Sequence, residues 1–135
     1  MCDEDKFFLL FGSIKKKIYK LINSKIKSYN ISVPEAIYLM VIKNNPNASF
    51  KEITELIDFD KAMTTKVMNS LKNKDLVNNN IKDITLTKKG LNLSKKINES
   101  LSELKCEVLN KLNKEQLKKI FEDIKIFDNL LEEIC

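Results

Sequence analysis

The most chemically distinctive stretch of the chain is residues 61–74, which carries four lysines and no acidic residue. Thr65, Asn69 and Ser70 are interspersed among these lysines. Lysine ammonium groups neutralise phosphates, whereas amide and hydroxyl groups can hydrogen-bond to base edges in the major groove. The pattern therefore favours a helix that contacts DNA, although a solvated face of an amphipathic helix would have a similar composition.

The elements around this stretch predict a helix-turn-helix. Ser49 and Glu52 have the spacing of a capping box at the start of a helix that we expect to bury Ile53, Leu56 and Ile57. A tight turn at 58–60 follows, and Asp60 is expected to cap the next helix. The positions of that helix expected to face inward are Ala62, Thr64, Val67, Met68 and Leu71. Those expected to face outward are Lys61, Met63, Thr65, Lys66, Asn69, Ser70 and Asn73.

Two short strands are predicted after the second helix, at 76–77 and 84–87, with the Asn-rich segment 78–83 as a hairpin tip. Thr87 is expected to cap a long helix that follows. The predicted fold class is mainly α with a small β-hairpin wing. It is a winged helix-turn-helix at 31–90, between helical dimerisation regions at 1–30 and 91–135.

Long apolar stripes mark the helices on either side of the winged unit. The N-terminal stripe predicts one helix of about 22 residues; its members are Phe7, Phe11, Ile14, Ile18, Leu21, Ile22, Ile26 and Tyr29. A capping box at Ser32 and Glu35 starts the next helix, with Tyr38 on its buried side. The last helix repeats the stripe at Leu117, Ile120, Phe121, Ile124, Phe127, Leu131 and Ile134. These stripes exceed what a small domain can bury, which favours a homodimer over a monomeric helical bundle.

Composition excludes several function classes. The 135 residues carry a net charge of +5, all 24 basic residues are lysine, and there is no histidine. A zinc site or a nucleophile of Cys/His type therefore cannot be built, and we expect no enzyme activity, no metal and no cofactor. Cys106 is expected to be a packing residue. No apolar run is long enough to cross a bilayer, so we expect no membrane partner and a cytoplasmic location.

Residues 31–97 resemble a regulator of the MarR type (multiple antibiotic resistance regulators). The resemblance is carried by the Ser-x-Pro-Glu-Ala start at Ser32, by Phe-Lys-Glu-Ile-Thr-Glu-Leu from Phe50, and by the Leu-Thr-x-x-Gly ending at Gly90. It implies a homodimer that binds double-stranded DNA, more often as a repressor. It also implies a small aromatic or anionic effector held between the dimer helices and the DNA-binding lobe. Tyr29, Tyr38 and Phe11 are candidates to line that crevice, with core packing as the alternative.

The candidate DNA-binding residues are Lys61, Met63, Thr65, Lys66, Asn69, Ser70, Ser49, Lys82 and Lys88. The predicted wing is shorter than is usual in that family, and Lys82 is its sole basic residue where arginine is usual. Asp75 replaces the glycine that often follows the DNA-reading helix, and it tolerates a left-handed backbone less well than glycine but better than most residues. The short wing keeps open an alternative function, a winged-helix protein-interaction module with weak or lost DNA binding.

Overall fold

The computed structural model describes residues 1–57, 59–78 and 80–135. Over these residues the chain is mainly helical. The helices are α1 (Asp3–Ile26), a short 3-10 helix (Lys27–Tyr29), α2 (Val33–Asn44), α3 (Phe50–Leu56), α4 (Lys61–Asn73), α5 (Lys88–Leu109) and α6 (Lys114–Ile134). The chain divides into two compact units, Met1–Leu101 and Ser102–Cys135. The predicted turn at 58–60 and hairpin tip at 78–83 include Asp58 and Asn79, which lie outside the described residues.

The predicted helix starts are confirmed, because each is determined by residues close in sequence. The Ser32 hydroxyl accepts from the amide of Glu35, and the Glu35 carboxylate accepts from the Ser32 amide, so the capping box is complete. The Asp60 carboxylate caps α4 by accepting from the Met63 amide at 2.8 Å. Thr87 caps α5, with its hydroxyl accepting from the Gly90 amide at 3.0 Å.

The core of the first unit is built around α2, which packs against α1, α3 and α4. Its fully buried side chains include Ile26, Tyr38, Leu39, Ile42, Ile53, Leu71, Leu76 and Ile97. The Tyr38 ring stacks on Phe59 with centroids 5.9 Å apart, and its hydroxyl is 2.7 Å from that of Thr64. Tyr38 therefore belongs to the core and cannot line a ligand crevice.

Three burial predictions were wrong. Leu56 is 57% exposed, because α3 ends there, whereas Ile57, in the extended backbone that follows, is buried as expected. Ala62 is exposed, since it lies in the first turn of α4 ahead of the buried positions that begin at Thr64. Cys106 is exposed and lies on the part of α5 beyond Ile97, where no described residue of the helix is buried.

The segment between α4 and α5 forms one antiparallel bridge, between Val77 and Leu86. The amide of Asn78 donates to the carbonyl of Thr85, and that of Thr87 to Leu76, both at 3.0 Å. No strand is present in the described part of the chain, so the predicted β-hairpin is not confirmed. Over the described residues the pairing is limited to this bridge and the two hydrogen bonds that flank it.

Backbone bonds attach the middle of this segment to the chain around the start of α3. The Phe50 amide donates to the carbonyl of Ile81, and the Ile84 amide to that of Ala48, both at 2.9 Å. After α4 the chain turns through Asp75, which has the left-handed φ of 60° for which glycine is often used.

Apolar side chains remain exposed on the flanking helices. On α1 only Ile26 is buried, whereas Phe7, Ile14, Ile18 and Leu21 are exposed. In the second unit, α6 has no buried residue among those described, and its exposed apolar residues are Leu117, Ile120, Phe121, Ile124, Ile126, Leu130, Leu131 and Ile134. Neither helix is apolar enough to cross a membrane, and the same holds for every other helix in the described ranges.

Candidate nucleic-acid interface

Helix α4 presents a polar surface opposite its buried side. Thr64, Val67, Met68 and Leu71 face the core, which leaves Lys61, Thr65, Lys66 and Asn69 exposed. Lys61, Thr65 and Asn69 lie four residues apart in turn, and Lys66 is adjacent to Thr65, so the four follow one side of the helix surface. Because Asp60 caps the helix N-terminus, its carboxylate is directed to the Met63 amide.

The exposed polar groups differ in what they can offer a partner. The Thr65 hydroxyl donates to the Lys61 carbonyl at 3.0 Å, so its oxygen still has acceptor capacity and its methyl group can contact a thymine methyl. Asn69 is exposed, and its amide can bond bidentately to an adenine. The lysines at 61 and 66 are compact point charges suited to phosphates.

Two other predicted site residues are half-buried. Ser70 donates its hydroxyl hydrogen to Glu35 at 3.0 Å and so is directed toward α2. Met63 lines a small concavity with Pro34, Lys66 and Val67, which makes it a flanking residue rather than the centre of the exposed surface.

A groove of about 400 Å³ separates α4 from the segment that follows it. Its lining residues are Phe50, Lys61, Thr65, Met68, Asn69, Lys72, Asn80, Ile81 and Ile84. The floor is apolar, while lysines at 61 and 72 and the amides at 69 and 80 carry the polar groups. Phe50, Ile81 and Ile84 were not among the site residues predicted from the sequence. An exposed isoleucine within an Asn-rich tip was the one available signal, since such a residue has no core to enter.

The remaining predicted residues lie outside this groove. Ser49 caps α3 by accepting from the Glu52 amide at 3.2 Å, and the Phe50 amide donates to Ile81, so two donors that a phosphate would need at this helix start are already used. Lys82 is exposed at the tip. Lys88 is exposed at the start of α5, in a concavity that it shares with Lys89, Lys96 and Tyr29.

One acidic group lies close to α4 and is neutralised. The Glu35 carboxylate oxygens are both 3.0 Å from the ammonium of Lys74. Burial opposes ionisation of this carboxyl, but the hydrogen bonds from Ser32, Lys74 and Ser70 outweigh it and hold the pKa of Glu35 below its ordinary value. Across the described residues, no cluster of three or more Cys, Asp or Glu side chains could hold a metal ion.

Comparison with known proteins agrees with this architecture. No family model matches the chain. The HTH-type transcriptional regulator SarZ of Staphylococcus aureus (strain USA300) is 30% identical over 111 residues, which is 77% of this chain and 72% of that protein.

Several solved structures share the fold. The S. aureus MarR in complex with salicylate and kanamycin superposes with a TM-score of 0.84 at 22% identity, over 98% of this chain and 94% of that one. The S. aureus MepR–DNA complex gives 0.86 at 15% identity, over 96% and 99%. A MarR/EmrR family transcriptional regulator from Acinetobacter sp. ADP1 gives 0.87 at 16% identity, over 98% and 99%.

Fold and relatives together define a DNA-binding transcriptional regulator of the helix-turn-helix type. The chain belongs to the MarR family of these regulators. The relatives named above are transcriptional regulators rather than enzymes.

Proposed function

We propose that the protein acts as a homodimeric repressor that recognises a pseudo-palindromic operator through α4. The observation that carries this proposal is the exposed side of α4, where lysine ammonium groups and an amide and a hydroxyl side chain lie together and the helix itself has no acidic residue. A helix of this type lies in the major groove, with its early residues at base edges.

Within this site we assign base contacts to Thr65 and Asn69, and phosphate contacts to Lys61, Lys66 and Lys72. The groove that includes Lys61, Asn69 and Lys72 has an apolar floor and charged edges, which suits a sugar-phosphate strand running alongside α4. Met63, Ser49, Lys82 and Lys88 would be at the periphery of the interface, and Ser70 is directed to Glu35.

Residues 76–87 would act as a short wing. Their backbone is bonded to Phe50 of α3 through Ile81 and to Ala48, just before α3, through Ile84, which supports a fixed tip beside α4. With Lys82 as its one cation the tip would make a weak minor-groove contact, since arginine is the favoured cation there. The DNA-binding domain would then be residues 31–90.

The exposed apolar residues of α1 and of α6 support dimerisation through residues 1–30 and 91–135. Faces as apolar as these are rarely left in water by a monomer. A two-fold dimer would present two copies of α4 to half-sites about one helical turn apart, and occupancy of such an operator would block transcription.

We further propose that a small molecule controls the regulator. The S. aureus MarR, which shares the fold, is described in complex with salicylate and kanamycin. Of the aromatic residues considered for such a crevice, Tyr38 is excluded by its burial. Tyr29 is partly exposed, and its hydroxyl is 3.0 Å from that of Ser100.

Selection from a random duplex pool, followed by salt titration, tests the proposed function. The full-length protein is expected to enrich one pseudo-palindromic sequence, and log affinity for it should fall linearly with log salt at a slope of about −0.9 per phosphate neutralised. Failure to enrich any sequence above the starting pool would contradict the operator proposal and favour the interaction module. The matched control is Lys119→Met on α6, which removes one positive charge outside the proposed DNA interface.

A further inference from the structure

Glu35, in the first turn of α2, is the most buried charged residue of the described chain, at 6% exposure. One carboxylate oxygen accepts from the Ser32 amide at 3.0 Å, and the other accepts from the Ser70 hydroxyl at 3.0 Å. Both oxygens are within 3.0 Å of the Lys74 ammonium. The carboxylate thus connects the start of α2 to the last turn of α4.

Lys74 extends this connection to the chain that precedes α2. Its ammonium also donates to the carbonyl of Asn30 at 2.9 Å, and its amide donates to the Ser70 carbonyl at 3.1 Å. The ammonium therefore has all three hydrogens directed to protein acceptors. We name the group Glu35, Ser70 and Lys74 the α2–α4 clamp.

Burial of the Glu35 carboxylate is energetically costly, so the clamp must keep a well-defined hydrogen-bonding geometry. A buried carboxylate is costly unless it is paired and hydrogen-bonded, and removal of one partner leaves an uncompensated charge. The lowered pKa of Glu35 agrees with strong bonds to the ionised form. A helix attached at Ser70 and Lys74 cannot rotate about its axis without breaking these bonds.

We propose that Glu35 is a positioning residue that fixes the orientation of α4 for base recognition, and that Ser70 and Lys74 bind Glu35 instead of DNA. This inference rests on the proposed function. Asn69 immediately precedes Ser70, so the direction of its amide is set by the same turn of helix. Bidentate base contacts depend on that direction, whereas phosphate contacts by flexible lysines do not.

The test compares Glu35→Gln and Lys74→Met with Lys66→Met, which removes an exposed lysine of the same helix. The probes are the duplex selected by the wild-type protein and a shuffled duplex of the same composition. The two clamp variants are expected to lose roughly tenfold in the ratio of selected to shuffled binding, with the salt slope unchanged. Lys66→Met should instead weaken both duplexes similarly and reduce the slope by about 0.9.

Two outcomes would overturn the proposal. A fall of about 0.9 in the salt slope for Lys74→Met would assign Lys74 to a phosphate. Unchanged discrimination in Glu35→Gln would show that the clamp does not orient α4. Ser70→Ala keeps the ion pair and removes one bond, so it tests the same geometry in a protein that remains folded, with an expected loss of about threefold.

Hydrogen exchange without DNA separates failure of the clamp from failure of the proposed function. In Glu35→Gln the amides of residues 67–74 are expected to exchange several-fold faster, while those of α3 keep their wild-type rates. If no duplex is selected, the operator proposal fails, and hydrogen exchange alone tests whether the clamp holds α4. Wild-type exchange rates across α4 in Glu35→Gln would overturn the clamp proposal.

Discussion

Gly90 lies directly against the backbone carbonyl of Leu76, so that an added Cβ would overlap its oxygen and stand 2.9 Å from its carbon. The same carbonyl accepts from the Thr87 amide, and the Thr87 hydroxyl accepts from the amide of Gly90. The Leu-Thr-x-x-Gly sequence is thereby explained, because the leucine forms the bridge, the threonine caps α5 and the glycine permits close approach.

Gly90→Ala is therefore expected to destabilise the protein by about 2 kcal/mol, since the obstructing atoms belong to the backbone and cannot move aside. Urea denaturation provides the measurement. Asn92→Ala, at an exposed position of the same helix, is the control and should change the free energy of unfolding by less than about 0.5 kcal/mol. Equal stability of the two variants would contradict the proximity of Gly90 and Leu76.

The backbone conformation of Asp75 predicts a rank order of stability for Gly, Asp and Ala at this position. Its φ of 60° is strained for residues with a Cβ, less so for Asp than for Ala. Asp75→Gly should raise the free energy of unfolding by roughly 0.5 kcal/mol, and Asp75→Ala should lower it by roughly the same amount. Thermal unfolding of the three proteins checks the order, and an alanine variant as stable as the glycine variant would disprove it.

Glu35 predicts a loss of stability in acid. Because its folded-state pKa is lowered, the unfolded chain takes up the proton first as pH falls. The contribution is fully present above the unfolded value of about 4.3 and is lost as pH falls through the folded value. Glu35→Gln should therefore lower the free energy of unfolding at neutral pH and lower it progressively less in acid.

The control for this prediction is Glu52→Gln, at an exposed helix start. Free energies of unfolding measured between pH 7 and pH 3 should converge for wild type and Glu35→Gln. If the two free energies of unfolding differ by the same amount at every pH, the loss of stability in Glu35→Gln comes from side-chain shape rather than charge.

Asn69 predicts a change in specificity rather than in overall affinity. Its exposed amide is the best hydrogen-bonding group on the proposed base-contacting side of α4, so Asn69→Ala should relax discrimination at one base pair by roughly 1–3 kcal/mol. Competition binding with single-base operator variants measures this. Equal weakening on every sequence would remove Asn69 from the base-contacting set.

The apolar face of α6 predicts the oligomeric state. Ile124 is exposed in the single chain, and we expect Ile124→Asp to convert a dimer to a monomer by burying an unpaired charge in the interface. Sedimentation equilibrium gives the mass directly. Glu122→Lys, on the polar side of the same helix, should leave the dimer intact. A wild-type chain that is monomeric at all concentrations would refute the dimer.

Local features of the fold could be predicted from the sequence, because a cap depends on residues three positions apart. Ser32 with Glu35, Asp60 with Met63, and Thr87 with Gly90 all follow this rule. Burial was less predictable. Leu56 has the periodicity of a core residue, but the place where α3 ends determines which side chain enters the core.

Long-range polar contacts were not predictable. Ser70 and Lys74 have the residue types of a DNA-contacting surface, and their partner Glu35 is 35 and 39 residues away. No periodicity encodes such a contact, since it depends on how α2 and α4 pack. The predicted strands are not confirmed, since strand propensity at 84–87 does not by itself produce a ladder and the described residues form one bridge, between Val77 and Leu86.

The backbone bonds that attach Ile81 to Phe50 and Ile84 to Ala48 have an evolutionary consequence. Because these bonds join main-chain atoms, they do not constrain which side chains stand at 81 and 82. Duplicated copies of such a gene can diverge at the tip by point substitution while the scaffold stays intact. On the proposed function, a new minor-groove preference, such as one conferred by an arginine, would therefore be accessible by a single mutation.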